Sequence, residues 1–227
     1  MVNKRLLSRL MRERVSGLQG SDRYFFRSDF EYVLRGIAFE YTPGGLYIWD
    51  FRFPLFEFFG LNLSYSDRLY ERSGYIKKGE MSEEDIVGFI MSSPEARGAF
   101  GSDKPETMLD FIRFVDFKPS VLAGSTSARL TYASALLLSG QDSRAAIMLD
   151  ELQNNPAMTK HDVVNCTLLR TKLRQGPAEV RALLDQVRRV NLRELGVAIG
   201  DDDNAPIEWA RWVVKNGALT QTGPFGV

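Results

Sequence analysis

An α+β fold, in which an N-terminal helix and a small antiparallel aromatic-rich sheet precede an α-helical region of helical hairpins, is predicted by three features of this chain. Of its 15 Phe, 8 Tyr and 3 Trp residues, seventeen lie between Tyr24 and Tyr75, where apolar side chains alternate at the two-residue period of a strand. Beyond Gly79 the apolar residues recur at helical spacing, behind side chains that cap helix starts. Breakers then cluster at Lys118-Pro119 and Gly124-Ser125-Thr126-Ser127. They set the expected division into an α+β module, 1–118, and a helical-hairpin module, 119–227.

The first element is a helix from Lys4 to Val15. Leu6, Leu7, Leu10, Met11 and Val15 share one face and the opposite face is basic, the pattern of a surface helix packed on its own domain. Two strands follow. Val33 to Tyr41 sets Val33, Arg35, Ile37, Phe39 and Tyr41 against Leu34, Gly36, Ala38 and Glu40, and the run from Leu46 to Phe53 sets Tyr47, Trp49, Phe51 and Phe53 against Leu46, Ile48, Asp50 and Arg52. Thr42-Pro43-Gly44-Gly45 between them is a turn signal, because Pro fixes its own φ and Gly accepts positive φ. Pro54 cannot donate to a sheet ladder and ends the second strand, while Leu61, Leu63 and Tyr65 predict a third. So apolar a sheet needs cover on both faces, from the chain's own helices or from a partner.

Ser82 with Asp85 predicts a capping box for a helix running to about Met91. Ser93-Pro94 opens a short helix, and Asp103-Lys104-Pro105-Glu106 predicts the start of another carrying Met108, Leu109, Ile112 and Val115. From Ala128 the sequence repeats weakly. Leu136-Leu137-Leu138-Ser139-Gly140 precedes a helix with Ala145, Leu149 and Leu152, and Leu173-Arg174-Gln175-Gly176 precedes one with Val180, Leu184 and Val187. Helix, Gly turn and helix at a period of about 35 residues resemble a tetratricopeptide-type hairpin, which needs a stacked neighbour to bury its face. The Trp-Leu-Gly of such a repeat's first helix is absent, so no family is assigned. Pro206 to Val214 reads as a capping helix around Trp209 and Trp212, and Thr220 to Val227 as an extended tail.

Composition narrows the function classes. In 227 residues, 29 basic side chains balance 29 acidic ones, leaving no global field to attract nucleic acid or an anionic membrane. The apolar runs fall well short of the roughly 20 residues that span a bilayer, so no membrane is expected as a partner. The N-terminus lacks the apolar core of a secretory signal, and one Cys cannot form an internal disulfide, so a reducing, cytoplasmic setting is expected.

The chemical motifs are sparse. His161 and Cys166, the single His and Cys, stand about 140° apart on a common helix and form no nucleophile–base pair. Gly200-Asp201-Asp202-Asp203-Asn204 lacks the alternating ligands of a hard-cation loop and reads as a solvated loop. No glycine pattern cradles phosphate. No catalytic residue, metal or cofactor is therefore assigned.

The expected function is a protein-interaction module of adaptor, chaperone or immunity type, binding another protein through the aromatic sheet or a helical groove. Tyr47, Trp49, Phe51, Arg35 and Arg52 are the expected contact residues, because aromatic and Arg side chains anchor interfaces. One alternative is a hydrolase using Asp50 with Asp67 or Glu40, and the charged residues beside the sheet also include Glu57. A second alternative is a nucleic-acid binder using Arg23, Arg27, Arg35 and Arg52 among the aromatics. Glu31, Glu40, Asp50, Glu57 and Asp67 offset those cations, so nucleic acid is not the expected partner.

Overall fold

The structure, a computed structural model, describes residues 2–20, 23–60, 62–69, 75–101, 105–197, 209, 211–215 and 218–222. The chain forms two compact units, one of residues 1–53 and 65–106, the other of 54–64 and 107–227. The expected α+β order holds, with an N-terminal helix, a six-stranded antiparallel sheet and then a series of helices. The division falls earlier than the breakers at 118–127 suggest, because the helix from Met108 packs on the one that follows those breakers.

In the first unit, α1 (Lys4–Arg14) is capped by Asn3, whose side chain accepts from the Leu6 N–H at 3.1 Å. The strands are β1 (Leu18–Gly20), β2 (Tyr24–Arg27), β3 (Val33–Thr42), β4 (Gly45–Pro54), β5 (Tyr65–Arg68) and β6 (Tyr75–Lys77). They lie in the order β1-β2-β3-β4-β5, and β6 also pairs with β4. β5 takes Trp49 to Arg52 and β6 takes Gly45 to Tyr47, so these two short strands share one edge of β4 end to end. The third strand begins at Tyr65, later than Leu61 and Leu63 suggest. Leu61 is outside the described residues, and Leu63 precedes the ladder.

α2 (Glu83–Ser92) starts at the expected box of Ser82 and Asp85, and α3 (Pro94–Phe100) at Ser93 with Pro94 in the first turn. One face of the sheet is covered by these helices: Leu7 and Met11 of α1, Ile86 and Ile90 of α2 and Phe100 of α3 enclose Phe25, Ile37, Phe39, Leu46, Ile48 and Ile76. The helices cover this face because alternation brings Ile37 and Phe39 of β3 beside Leu46 and Ile48 of β4, an apolar area for their apolar stripes to bury. Gly36 lies where β2 and β3 approach closely. A Cβ there would stand 2.0 Å from the Phe25 carbonyl oxygen and 2.9 Å from the Phe51 ring. Gly36→Ala is therefore expected to destabilise by clearly more than the roughly 1 kcal/mol spanned by strand propensity alone, read as a lowered urea midpoint.

In the second unit, α4 (Met108–Phe117) begins at a capping box of Thr107 with Asp110. That is later than the Asp103-Lys104-Pro105 signal: Thr107 satisfies the orphan N–H of Asp110 at 3.2 Å and the Asp110 carboxylate accepts from the Thr107 N–H at 3.1 Å. Residues 103 and 104 are outside the described residues. After a 3₁₀ turn at Pro119–Leu122 come α5 (Thr126–Leu138), α6 (Asp142–Gln153), α7 (Lys160–Gln175) and α8 (Pro177–Glu194). Gly140 (φ 74°) and Gly176 (φ 127°) supply the left-handed residues of the two hairpin turns. α5 is buried at nine of its 13 positions and touches α4, α6, α7 and α8. It is the central helix of the unit, and an all-round apolar surface is what such a position requires.

The C-terminal segment is not the expected capping helix. Arg211–Lys215 is a strand, β7, paired antiparallel with β8 (Ala218–Thr222), not part of a helix, and β8 includes the first residues of the expected tail. Trp212-Val213-Val214 has strand propensity, and Asn216-Gly217 stands between the two strands in the sequence, the dipeptide most favourable to tight hairpins. Trp209 is fully buried. Residues 206–208 and the acidic run 200–204 are outside the described residues. Among the described residues no helix is long and apolar enough to cross a membrane.

Candidate functional site

The face of the sheet turned away from α1–α3 carries an aromatic patch. Tyr47 is directly opposite Tyr75 on β6, and Trp49 directly opposite Arg68 on β5. The Arg68 guanidinium stacks over both rings, 4.3 Å from the centroid of Tyr47 and 4.8 Å from that of Trp49. Tyr47 and Tyr75 meet at 4.6 Å. The Trp49 indole donates to Glu40 Oε2 at 3.1 Å. Tyr47, Trp49 and Tyr75 are half-buried, and Glu40 and Arg68 are exposed. Phe51 is on the same face but completely buried, its ring edge-to-face with Tyr24 at 5.7 Å.

Arg35 and Arg52 point to the other face and belong to a buried network. Asp50 accepts from Arg35 through both carboxylate oxygens, at 3.3 and 3.2 Å, and from Arg52 Nη1 at 3.4 Å. Glu106 accepts from Arg52 Nε at 3.0 Å and has its other oxygen 3.7 Å from Arg35. Burial pushes both carboxyls above their ordinary range and the two guanidiniums pull them back. Two cations and two carboxylates thus neutralise each other at a site where any one alone would be costly.

Of the carboxylates considered for hydrolysis, Asp50 and Asp67 are directly opposite on β4 and β5, while Glu40 is on the aromatic face. Both oxygens of Asp50 are engaged by arginine. The four arginines considered for nucleic acid do not share a surface. Arg35 and Arg52 are in the network, Arg23 is exposed, and Arg27 is held by Asp29 at 2.9 Å and by the Phe100 carbonyl.

A second buried cluster occupies the core of the helical unit. Glu57, which sequence reasoning placed only beside the sheet, is buried and accepts from Thr131 of α5 and from the Phe59 N–H. The Asn191 amide of α8 donates to the Leu55 and Glu57 carbonyls at 2.7 and 2.8 Å, tying the Pro54–Ser64 segment in place. Burial, reinforced by the charge of Asp162, pushes the Glu57 carboxyl up to about 7. Asp162 itself is the capping-box partner of Thr159, the N-cap of α7, and accepts from Thr126 and Thr159, each at 2.7 Å. His161 and Cys166 are both on α7, and burial raises the Cys166 thiol, which points at the Leu149 carbonyl. A raised thiol is a poor nucleophile.

Two of the five expected contact residues, Tyr47 and Trp49, are therefore together on an accessible face, Phe51 is buried on that face, and Arg35 and Arg52 are on the reverse. Arg68 and Tyr75 complete the patch. Neither was among the expected contact residues, because their strands are only four and three residues long and leave their cross-strand neighbours unread. No protein-family profile, curated protein sequence or solved structure matches this chain.

Proposed function

We propose that the chain is a protein-interaction module of adaptor, chaperone or immunity type, and that it binds another protein through the patch formed by Tyr47, Trp49, Tyr75 and Arg68. The observation that carries this reading is the Arg68 guanidinium stacked across two half-exposed aromatic rings. Trp, Tyr and Arg are the residues that dominate binding energy at interfaces, and here they are already held in place by cross-strand pairing, which lowers the entropy cost of association. Glu40, bonded to Trp49, supplies a polar rim. The helical unit acts as a scaffold, in which the α5–α6 and α7–α8 hairpins contact where α6 meets α7 and where α5 meets both α7 and α8. That contact is the basis for a tetratricopeptide-like reading of the region. A reducing cytoplasmic setting accords with the buried thiol of Cys166.

The test is affinity capture from the native host's lysate with wild type and Trp49→Ala as parallel baits. A stoichiometric partner retained by wild type and reduced at least about tenfold by the variant is expected, since an interfacial Trp contributes roughly 2 kcal/mol or more. Equal recovery on both baits, or a clean wild-type eluate, would overturn the reading. Because Trp49 is half-buried, its own truncation should cost less stability than the roughly 3–5 kcal/mol of a buried aromatic, and urea denaturation checks this.

A further inference from the structure

Although the chain has equal numbers of acidic and basic residues, α1 does not. Lys4, Arg5, Arg9, Arg12 and Arg14 are all exposed, and Glu13 is the single acid of the helix. At its C-terminal end α1 borders a surface cleft of about 350 Å³, shared with β2, α2 and α3. That volume lies within the range of ligand-binding pockets, about 300–1,000 Å³. Val15, Ala96 and Phe100 form an apolar floor, each largely withdrawn from solvent. Arg14, Arg27 and Arg97 line the cleft, and no acidic side chain is among its described lining residues. Arg27 is neutralised by Asp29. Arg14 and Arg97 are exposed and form no ion pair with a described residue. They are the two cations there with charge to spare.

We propose that this cleft is a docking site for an acidic peptide segment of another protein, which seats one apolar side chain on the floor and places carboxylates against Arg14 and Arg97. The apolar floor distinguishes such a peptide from a phosphate backbone, which would use the cations and leave the floor empty. Free guanidiniums present paired N–H donors suited to carboxylates. The site is on the helix-covered side of the sheet, so this assignment is independent of the aromatic patch.

The test uses the full chain and a short fluorescein-labelled peptide in which Glu and Asp flank a central Phe, with binding read by fluorescence anisotropy. Saturable binding that weakens with added salt is expected. Arg14→Glu combined with Arg97→Glu should raise Kd by about tenfold or more, since two exposed charge pairs are reversed. Replacing the peptide's Phe with Ser should weaken binding severalfold, and Trp49→Ala should leave it unchanged, which separates this site from the aromatic patch. Circular dichroism of the double variant verifies that both exposed positions tolerate the change. Absence of saturable binding at low salt, undiminished binding by a folded double variant, or indifference to loss of the Phe would each overturn the proposal. Displacement of the peptide by oligo-dT or by phosphatidylserine vesicles at equal or lower concentration would also overturn it, in favour of a nucleic acid or a lipid surface.

Discussion

Glu57→Gln abolishes most of the pH dependence of stability between about pH 5 and pH 8.5. In the folded chain burial holds the Glu57 carboxyl at about 7, against 4.5 for an ordinary glutamate. The folded state therefore binds a proton that the unfolded state releases. The resulting stabilisation is complete below pH 4.5 and is lost as pH rises through about 7, to a total of roughly 3 kcal/mol. Thr131 contacts both Glu57 and the Ser127 carbonyl. A protonated Glu57 can donate to the Thr131 oxygen and leave the Thr131 hydrogen for Ser127, whereas an ionised one competes with Ser127 for it. Gln keeps the shape and supplies an N–H donor without a charge. Urea denaturation of wild type and variant at about pH 5.5 and 8.5 measures the effect: wild type weakens toward alkaline pH and the variant stays level. An unaltered slope in the variant would show that another group carries the dependence.

Asp50→Ala lowers stability by roughly 3–5 kcal/mol, the expected cost of breaking a buried ion pair from one side. The carboxylate is 4% exposed and is shared by Arg35 and Arg52, which are 21% and 13% exposed. Its loss leaves two guanidiniums against the single carboxylate of Glu106. The double variant Asp50→Ala/Arg35→Met restores one-to-one charge, so it should recover a substantial part of the loss. A cost below about 1 kcal/mol for Asp50→Ala, as at a solvated surface pair, would show that water reaches the network.

Much of the local structure was legible from residue order. The caps at Ser82 and Ser93 depend on groups within three residues of each other, and the long strands β3 and β4 depend on a period of two. β1, β2 and β6 are three or four residues long, too short for a period to stand out. β2 and β6 exist because the long strands β3 and β4 present unfilled edges, and β1 in turn extends β2. Trp212-Val213-Val214 shows the same limit, since its strand state depends on pairing with residues five to nine positions away.

For the candidate sites, alternation alone places Tyr47, Trp49 and Phe51 on one face of the sheet and Asp50 and Arg52 on the other. Which of the three aromatics remains accessible, that Arg68 stacks on two of them, and that Glu106, 54 residues beyond Arg52, completes the ion network were decided by the tertiary structure. So was the burial of Glu57, which follows Phe56 and precedes Phe58 in an ordinary-looking apolar run. The physical reason is range. Caps, turns and periodicity are energies between residues adjacent in the chain, whereas desolvation and charge pairing depend on what distant segments bring alongside.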